Sequence, residues 1–458
     1  MFEVYLFFSI SLLLSASIWA VARSMAWAGR STQVDWQRLL LLLFPVGFVL
    51  ANLLYVLPLS VRLLFTTEVE GDIAPDLQVF IEYFPLAISL DALFIVVFCL
   101  IYWWSVRKYS IQLQTPRRIR RLPHWAFYLT WIAFFGVSIF QIYMLSRGMG
   151  GVARLILSGY RVTESLVGQG HFAIGLSWYG SLVLFLIVYA RMAGHRVAYL
   201  TGFGLLALYV VALILMGRRA ALVGVGIPLV LAIHLLFRKL TLKSIVILIV
   251  IGFIGLNILG VLRGGSYSSF SDAAMALSER RSDLSSQGRL NYFYTLTSGN
   301  FVQPFQALPN VIARNASGEI DYFYGASIFR GLTFIVPQAL WPDRPEPVSN
   351  WYMKKFIDSN ANDNEGRQFF FLADGYMNFG VFGSVIWGVL YGLIFSGISV
   401  AVVRRIREPA VLTFFALMIG NILTFVSADL SGALVVFMKV TAAPCLLFIL
   451  APRILRSR

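Results

Sequence analysis

The chain has 458 residues, of which 59% are hydrophobic and only 13% charged, with a mean hydropathy of +0.77. Soluble domains carry about a quarter charged residues, so this composition excludes a chain that covers its own globular surface. The formal net charge of +15 is spread over short connections between apolar runs, so it reads as membrane topology and no nucleic-acid partner is required to explain it.

Taken in chain order, apolar runs long enough to span a bilayer occur at 4–22, 39–60, 84–106, 125–146, 172–190, 197–216, 220–236, 245–262, 382–403, 410–428 and 433–452. They predict an all-α integral membrane protein of about eleven transmembrane helices. Glu3 precedes the first run and no small-residue cleavage site follows it, which predicts a retained helix rather than a signal peptide. The seventh run is short, as a tilted or half-buried helix would be. Cys99 and Cys445 both lie inside apolar runs and read as packing residues.

Basic residues in the short connections set the orientation. One side holds Arg23, Arg30 and Arg38, the cluster from Arg107 to Arg121, Arg191 and Arg196, Arg238 to Lys243, Arg404 to Arg407 and the tail. Those are twenty basic residues against two acids, Asp35 and Glu408. That side is expected to be cytoplasmic, with the C-terminus inside and, for an odd number of spans, the N-terminus outside. The expected division is an N-terminal membrane bundle (1–262) with outer loops 61–83 and 147–171, a long periplasmic loop (263–381), and C-terminal membrane helices with a basic tail (382–458).

The loop 263–381 has 119 residues, far more than a helix-to-helix link requires. Its polar part at 271–291 predicts a helix capped by Ser271. Residues 319–345 are apolar and aromatic around Arg330, too interrupted to span, and predict a segment in the outer interface or dipping into a cavity. Such a loop is a natural lid.

No metal-ligand spacing, nucleotide-binding glycine loop or Walker lysine is present, and the histidines at 124, 171, 195 and 234 are scattered outside the long loop. No cofactor is predicted. The outer side is instead rich in arginine: Arg147, Arg154 and Arg161 in one loop, Arg218 and Arg219 in a tight MGRRA turn, Arg263 at the exit of the eighth run. Arg280, Arg281, Arg289, Arg314, Arg330, Arg344 and Arg367 follow in the long loop. Guanidinium groups grip phosphate bidentately and stay ionised in a low dielectric. Arginine is also 31 of the 37 basic residues of the chain, and outer arginines have outer acids to pair with. Arg218, Arg219, Arg263 and Arg330 stand out, because each adjoins apolar sequence with no acid nearby. Asp91 and Lys439 fall inside spans and predict an intramembrane ion pair or a substrate contact. Asp374 in FFFLADGYMNFG has three open readings: a general base, a cap of the following helix, or a partner of Arg367.

The order GRRA, a long outer loop, YFYGASIFRGLTFIVPQALWPDRP and DGYMNFGVFG resembles the bacterial O-antigen polymerases, the oligosaccharide repeat-unit polymerases called Wzy. The matching positions are Tyr322, Gly325, Pro337, Trp341-Pro342-Asp343-Arg344-Pro345, then Asp374, Tyr376, Asn378, Phe379 and Gly380. The resemblance implies a metal-independent glycosyltransferase in the bacterial inner membrane. It would transfer a chain growing on undecaprenyl pyrophosphate to a new lipid-linked repeat unit, with a chain-length regulator as partner in the same membrane. It further implies functional arginines in two outer loops, here Arg147, Arg154 and Arg161, then Arg263, Arg289, Arg330 and Arg344. The Arg-x10-Gly pattern of some members is absent, since Ser158, Phe172 and Asn300 stand eleven residues after Arg147, Arg161 and Arg289. With the residue-level reading, the expected catalytic set is Arg218, Arg263, Arg330 and Asp374. The expected substrate-binding set adds Arg147, Arg154, Arg161, Arg219, Arg289, Tyr322, Tyr324, Arg344, Arg367 and Tyr376, with the tyrosines stacking on sugar rings. Rival readings are an O-antigen ligase, which a histidine in the late loop would favour, and a lipid-linked oligosaccharide flippase, which needs polar positions across many spans.

Overall fold

The structure is a computed structural model that describes residues 2–28, 36–65, 77–108, 124–148, 150–157, 171–216, 219–236, 275, 303–334, 336, 341, 343–357, 368–405, 408–442 and 445. Among these the chain is helical, with no strand. The helices are α1 (Phe2–Ala28), α2 (Trp36–Phe65), α3 (Leu77–Lys108), α4 (His124–Gly148), α5 (Val152–Leu157), α6 (His171–Ala193), α7 (Arg196–Leu215), α8 (Arg219–Leu236), α9 (Gln303–Ala316), α10 (Ala326–Thr333), α11 (Val348–Phe356), α12 (Phe371–Phe379), α13 (Phe382–Arg405), α14 (Pro409–Gly420), α15 (Ile422–Val426) and α16 (Leu430–Val435), which continues as a π-helix over Val436–Ala442.

Among the described residues, six helices are long and apolar enough to cross a membrane: α1, α2, α3, α4, α7 and α13. Their outer faces expose large apolar side chains, such as Phe7 and Phe8 on α1, Ile132 and Phe140 on α4, Leu208 on α7 and Ile394 on α13. A monomer in water does not present faces of that kind, whereas hydrocarbon requires them. The chain is a multi-pass membrane protein. The apolar run expected at 245–262 lies outside the described residues.

Two packed halves make up the bundle. In the first, α3 is the central helix, flanked by α1, α2 and α13. Gly388 and Gly392 let α13 close on Val97 and Ile101, so near that a Cβ at either glycine would sit 2.9 Å from the facing side chain. The Tyr102 hydroxyl is hydrogen-bonded to Leu41 O (2.7 Å) and Ser399 Oγ (2.8 Å), tying α2, α3 and α13 together. In the second half α4, α6 and α7 pack through Trp131, Tyr179, Ile187 and Tyr209. α14 joins the halves by packing on α8 and α6.

Several elements differ from the sequence expectation, three of them in ways that bear on the packing. α3 begins at Leu77, seven residues earlier than its apolar run, so Asp91 lies fourteen residues into the helix, about 21 Å along it at 1.5 Å per residue. Asp91 is fully buried and neither carboxylate oxygen has a hydrogen-bond partner among the described residues. The Lys439 side chain falls outside them, and with it the expected pair. The run 410–428 is divided at Asn421, whose side chain donates to Leu417 O (2.8 Å). The neighbouring Gly420 sits against Pro228 of α8, leaving no room for a Cβ. Finally, α9 lies in the long connection where no helix was expected, with Phe305 edge-on to Phe84 of α3 (5.5 Å) and to Phe370 (5.3 Å). Cys99 and Cys445 are both buried and free.

Candidate functional site

The long connection builds its site on the YFYG segment. Tyr324 is the one non-glycine residue with positive φ (+48°) among the described residues, and Gly325 follows at +94°. Two successive left-handed residues turn the chain sharply, and the second position suits glycine. Phe323 N–H donates to Met377 O (2.7 Å) and Gly325 N–H to the Asn378 side-chain oxygen (2.9 Å), so the turn is tied to α12 before α10 starts. At the far end of α12 Gly380 also has positive φ (+58°). The Tyr322 ring covers it, and a Cβ there would meet the phenol oxygen at 3.1 Å. The Tyr-x-x-Gly and the Asn-Phe-Gly motifs are therefore two sides of one junction.

Beneath the junction lies a buried polar clamp. The Ser327 hydroxyl on α10 donates to Asp374 Oδ1 on α12. The Asn378 amide donates to the Asp374 carbonyl (2.8 Å) and carboxylate (3.2 Å) and touches Ser327 Oγ. The other carboxylate oxygen, Oδ2, accepts the Leu430 N–H at the start of α16 (3.2 Å). Its neighbour Asp429 caps α16 by accepting Gly432 N–H (2.8 Å) and also takes Ser349 N–H from α11 (3.0 Å). Ser327, Asp374, Asn378 and Asp429 are all buried. Two acids thus hold α10, α11, α12 and α16 together. Burial, followed by the charge of Asp429, pushes the Asp374 carboxyl up to about 7, against the opposing hydrogen bonds from Ser327, Leu430 and Asn378.

Arg330 is one turn beyond Ser327 on α10. Half-buried, its guanidinium lies 5.3 Å from the centre of the Phe323 ring, which in turn packs on Trp351 (5.1 Å). Among the described residues no carboxylate pairs with it. Arg314 shows the contrasting case: it is buried, ion-paired with Glu319 and stacked over Phe356 (4.2 Å), as a structural arginine would be. Arg344 donates to Val336 O (2.9 Å) and covers the Phe334 ring (3.7 Å), closing its own loop, and burial lowers its pKa. Tyr322 stands 6.2 Å from both Tyr324 and Tyr376, ring centre to ring centre. Tyr324 is 81% exposed, whereas Tyr376 is buried, with its phenol pKa raised by burial and then by Tyr322.

Of the expected site residues, the structure therefore brings together Arg330, Asp374, Tyr322, Tyr324 and Tyr376. Asp374 lies inside a short helix of its own, 1% exposed, rather than capping α13. Arg147, at the end of α4, and Arg154, on α5, are exposed in the other half of the bundle, where α5 packs on α4 and α7. Arg161, Arg218, Arg263, Arg289 and Arg367 lie outside the described residues, as do Pro337, Pro342 and the helix predicted from Ser271, apart from Met275, which is helical. So does the side chain of Arg219, the first residue of α8. Sequence reasoning missed Ser327 and Asp429, and it placed Asn378 only within a motif. A serine three residues before Arg330 gives no signal, but Asp429 before LSGAL has the pattern of a helix cap. It also missed that His124 and His195 meet (4.2 Å between rings), with Tyr128 on His195 Nδ1 (2.7 Å). Among the described residues no three of His, Cys, Asp and Glu are grouped to hold a metal ion.

No protein-family model matches the chain, and no solved structure matches it. Two curated proteins named O-antigen polymerase, from Salmonella typhimurium strain LT2 and from Salmonella typhi, are each 31% identical to it over 115 residues. That stretch is 23% of this chain and 27% of each relative, so the chain matches about a quarter of the relatives' length. By its motifs and by this segment, the chain resembles the O-antigen polymerases.

Proposed function

We propose that the protein polymerises lipid-pyrophosphate-linked oligosaccharide repeat units into O-antigen or a related surface polysaccharide. The observation that carries the reading is Arg330: a half-buried guanidinium on an aromatic base, with no carboxylate partner among the described residues, in the segment that bears the polymerase-like motifs. In this reading the bundle has eleven spans in the inner membrane, with the N-terminus and the 263–381 connection periplasmic and the C-terminus cytoplasmic. The donor is a chain on undecaprenyl pyrophosphate, the acceptor a new lipid-linked unit, and a chain-length regulator is the membrane partner.

The chemistry follows from where charge develops. As the anomeric carbon leaves pyrophosphate, negative charge grows on the phosphate oxygens. Arginines fixed beforehand stabilise that charge more than they stabilise the ground state, and so lower the barrier. Arg330 is the first candidate, and Arg218 and Arg263 are assigned the same role. Arg147, Arg154, Arg161, Arg219, Arg289, Arg344 and Arg367 would hold phosphate or sugar hydroxyls, and Tyr322, Tyr324 and Tyr376 the sugar rings. A proton acceptor with a pKa near 7 suits neutral pH, which keeps Asp374 in the catalytic set. Asp374 is 1% exposed and in contact with the Ser327 hydroxyl.

Replacement of Arg218, Arg263 or Arg330 by Ala is expected to leave the protein in the membrane while polymer falls by roughly 10²-fold, as for loss of one preorganised charge-stabilising donor. Gel ladders of surface polysaccharide then show single capped repeat units. Normal ladders from all three variants would overturn the proposal. A flippase is separated by where undecorated repeat units gather, inside the cell for a flippase defect and outside for a polymerase defect.

A further inference from the structure

We infer that Ser327, Asn378 and Asp429 are positioning residues, whose buried hydrogen bonds hold α10 against α12 and α16 and thereby fix Arg330 at the site. The inference rests on the polymerase reading and adds to it residues that touch no substrate.

The geometry runs as one chain of contacts. Ser327 and Arg330 are three residues apart on α10, hence on neighbouring faces of a helix of eight residues. Such a helix has little stability of its own, so its depth and rotation come from what it is tied to. The ties are few and specific. Gly325 N–H reaches Asn378 at the N-terminal end, Ser327 reaches Asp374 in the first turn, and Gly331 packs on Leu430, where a Cβ on the glycine would meet the leucine side chain at 3.0 to 3.2 Å. Leu430 is itself held, because its N–H bonds to Asp374 and Asp429 caps its helix. Asp429 reaches across to Ser349 N–H, which fixes α11 and so Trp351, the ring behind Phe323 and Arg330. The arginine's aromatic seat and its helix are thus fastened to the same pair of acids.

The outward face of α10 offers nothing comparable. Phe329 and Leu332 are exposed there, and their hydrocarbon side chains can form no hydrogen bond. Removing Ser327 therefore frees the helix to rotate, and a displacement of order 1 Å at a charge-stabilising group is enough to lose about 10²-fold in rate.

The test is a rescue. Ser327→Ala in the full-length protein, expressed in place of the native copy, is expected to lower the amount of long polysaccharide at least about 10-fold at unchanged membrane level. Adding Gly331→Cys with Leu430→Cys is expected to join α10 to α16 covalently, since the two Cβ positions are 3.2 Å apart, a few tenths of an ångström under the usual disulfide separation of about 3.5–4.5 Å. The native cysteines are buried and do not compete. With the disulfide formed, polymer should return to within about threefold of the parent pair of cysteines, and reduction of that bond should abolish the recovery. A disulfide that forms without recovery, or a pair that does not cross-link at all, overturns the inference. So does wild-type polymer from Ser327→Ala.

A second measurement covers the case in which the staple alone is harmful. On an Arg330→Lys background, Ser327→Ala should cost less than half of what it costs in the wild type, because both changes act through the same guanidinium position. Full additivity sinks the positioning role. Loss of the polymerase reading looks different: there Arg330→Ala makes normal ladders whatever happens at Ser327.

Discussion

At Asp374 burial and a neighbouring acid act in the same direction, and pH makes their effect measurable. The carboxyl titrates at about 7 in the folded protein and near its ordinary value of 3.8 once unfolded. Between those values the folded state keeps a proton that the unfolded chain has released, so stability falls as pH rises through the window. The groups facing it are Asp429 beside α16 and Tyr391 on α13, neither of which supplies a positive charge. Thermal melts in detergent should therefore show the wild type losing stability from about pH 4 to about pH 7, and Asp374→Asn should lack that slope, because its amide has no proton to lose. An unchanged slope in the variant assigns the titration to another group. Arg330 was legible in the sequence because a lone charge inside apolar residues needs a reason. Its supports were not: Ser327, Asn378 and Asp429 span about a hundred positions, and nothing local marks them as partners.

Among the elements, the long helices were legible, since hydropathy alone locates a segment that faces hydrocarbon. α9 escaped for the opposite reason. Its sequence QPFQALPNVIARNA contains Gln306, Asn310 and Arg314 at intervals of four, all buried, and two prolines. A hydropathy window sees a polar loop, while the helical interval of four is the signal that would have found it. Leu308, fully buried between these polar positions, is expected to destabilise the protein by about 2–5 kcal/mol when changed to Ala, read as a lower melting temperature. The crossing of α12 and α13 is tighter still. A Cβ at Gly383 would fall 2.1 Å from Gly375 O, which backbone cannot yield, whereas Gly397 further along α13 has nothing within 4 Å. Gly383→Ala should thus sharply reduce folded protein recovered from membranes while Gly397→Ala does not. The helical site motif DGYMNFG owes its glycines to this crossing and to the Tyr322 contact, so part of what resembles a polymerase signature is packing.

The whole molecule has a bundle whose outward surface is apolar and a polar site assembled from its longest connection. The orientation proposed from charge counting has a direct check, because Cys99 and Cys445 are buried. A membrane-impermeant maleimide should label Tyr324→Cys, at an 81% exposed position, in intact spheroplasts and should label Arg405→Cys only after lysis. Reversed labelling would invert the proposed orientation. The fastening of the connection to Leu430 and Asp429 also has a consequence for biogenesis. The ribosome delivers Ser327 and Asp374 well before the residues that secure them, so this segment must wait, unfastened, until α16 is made. A chain stopped at Ala428 would keep every long span described here and still have no place to hold its arginine. Completion of synthesis itself is then the event that assembles the site, and a chain still on the ribosome lacks it.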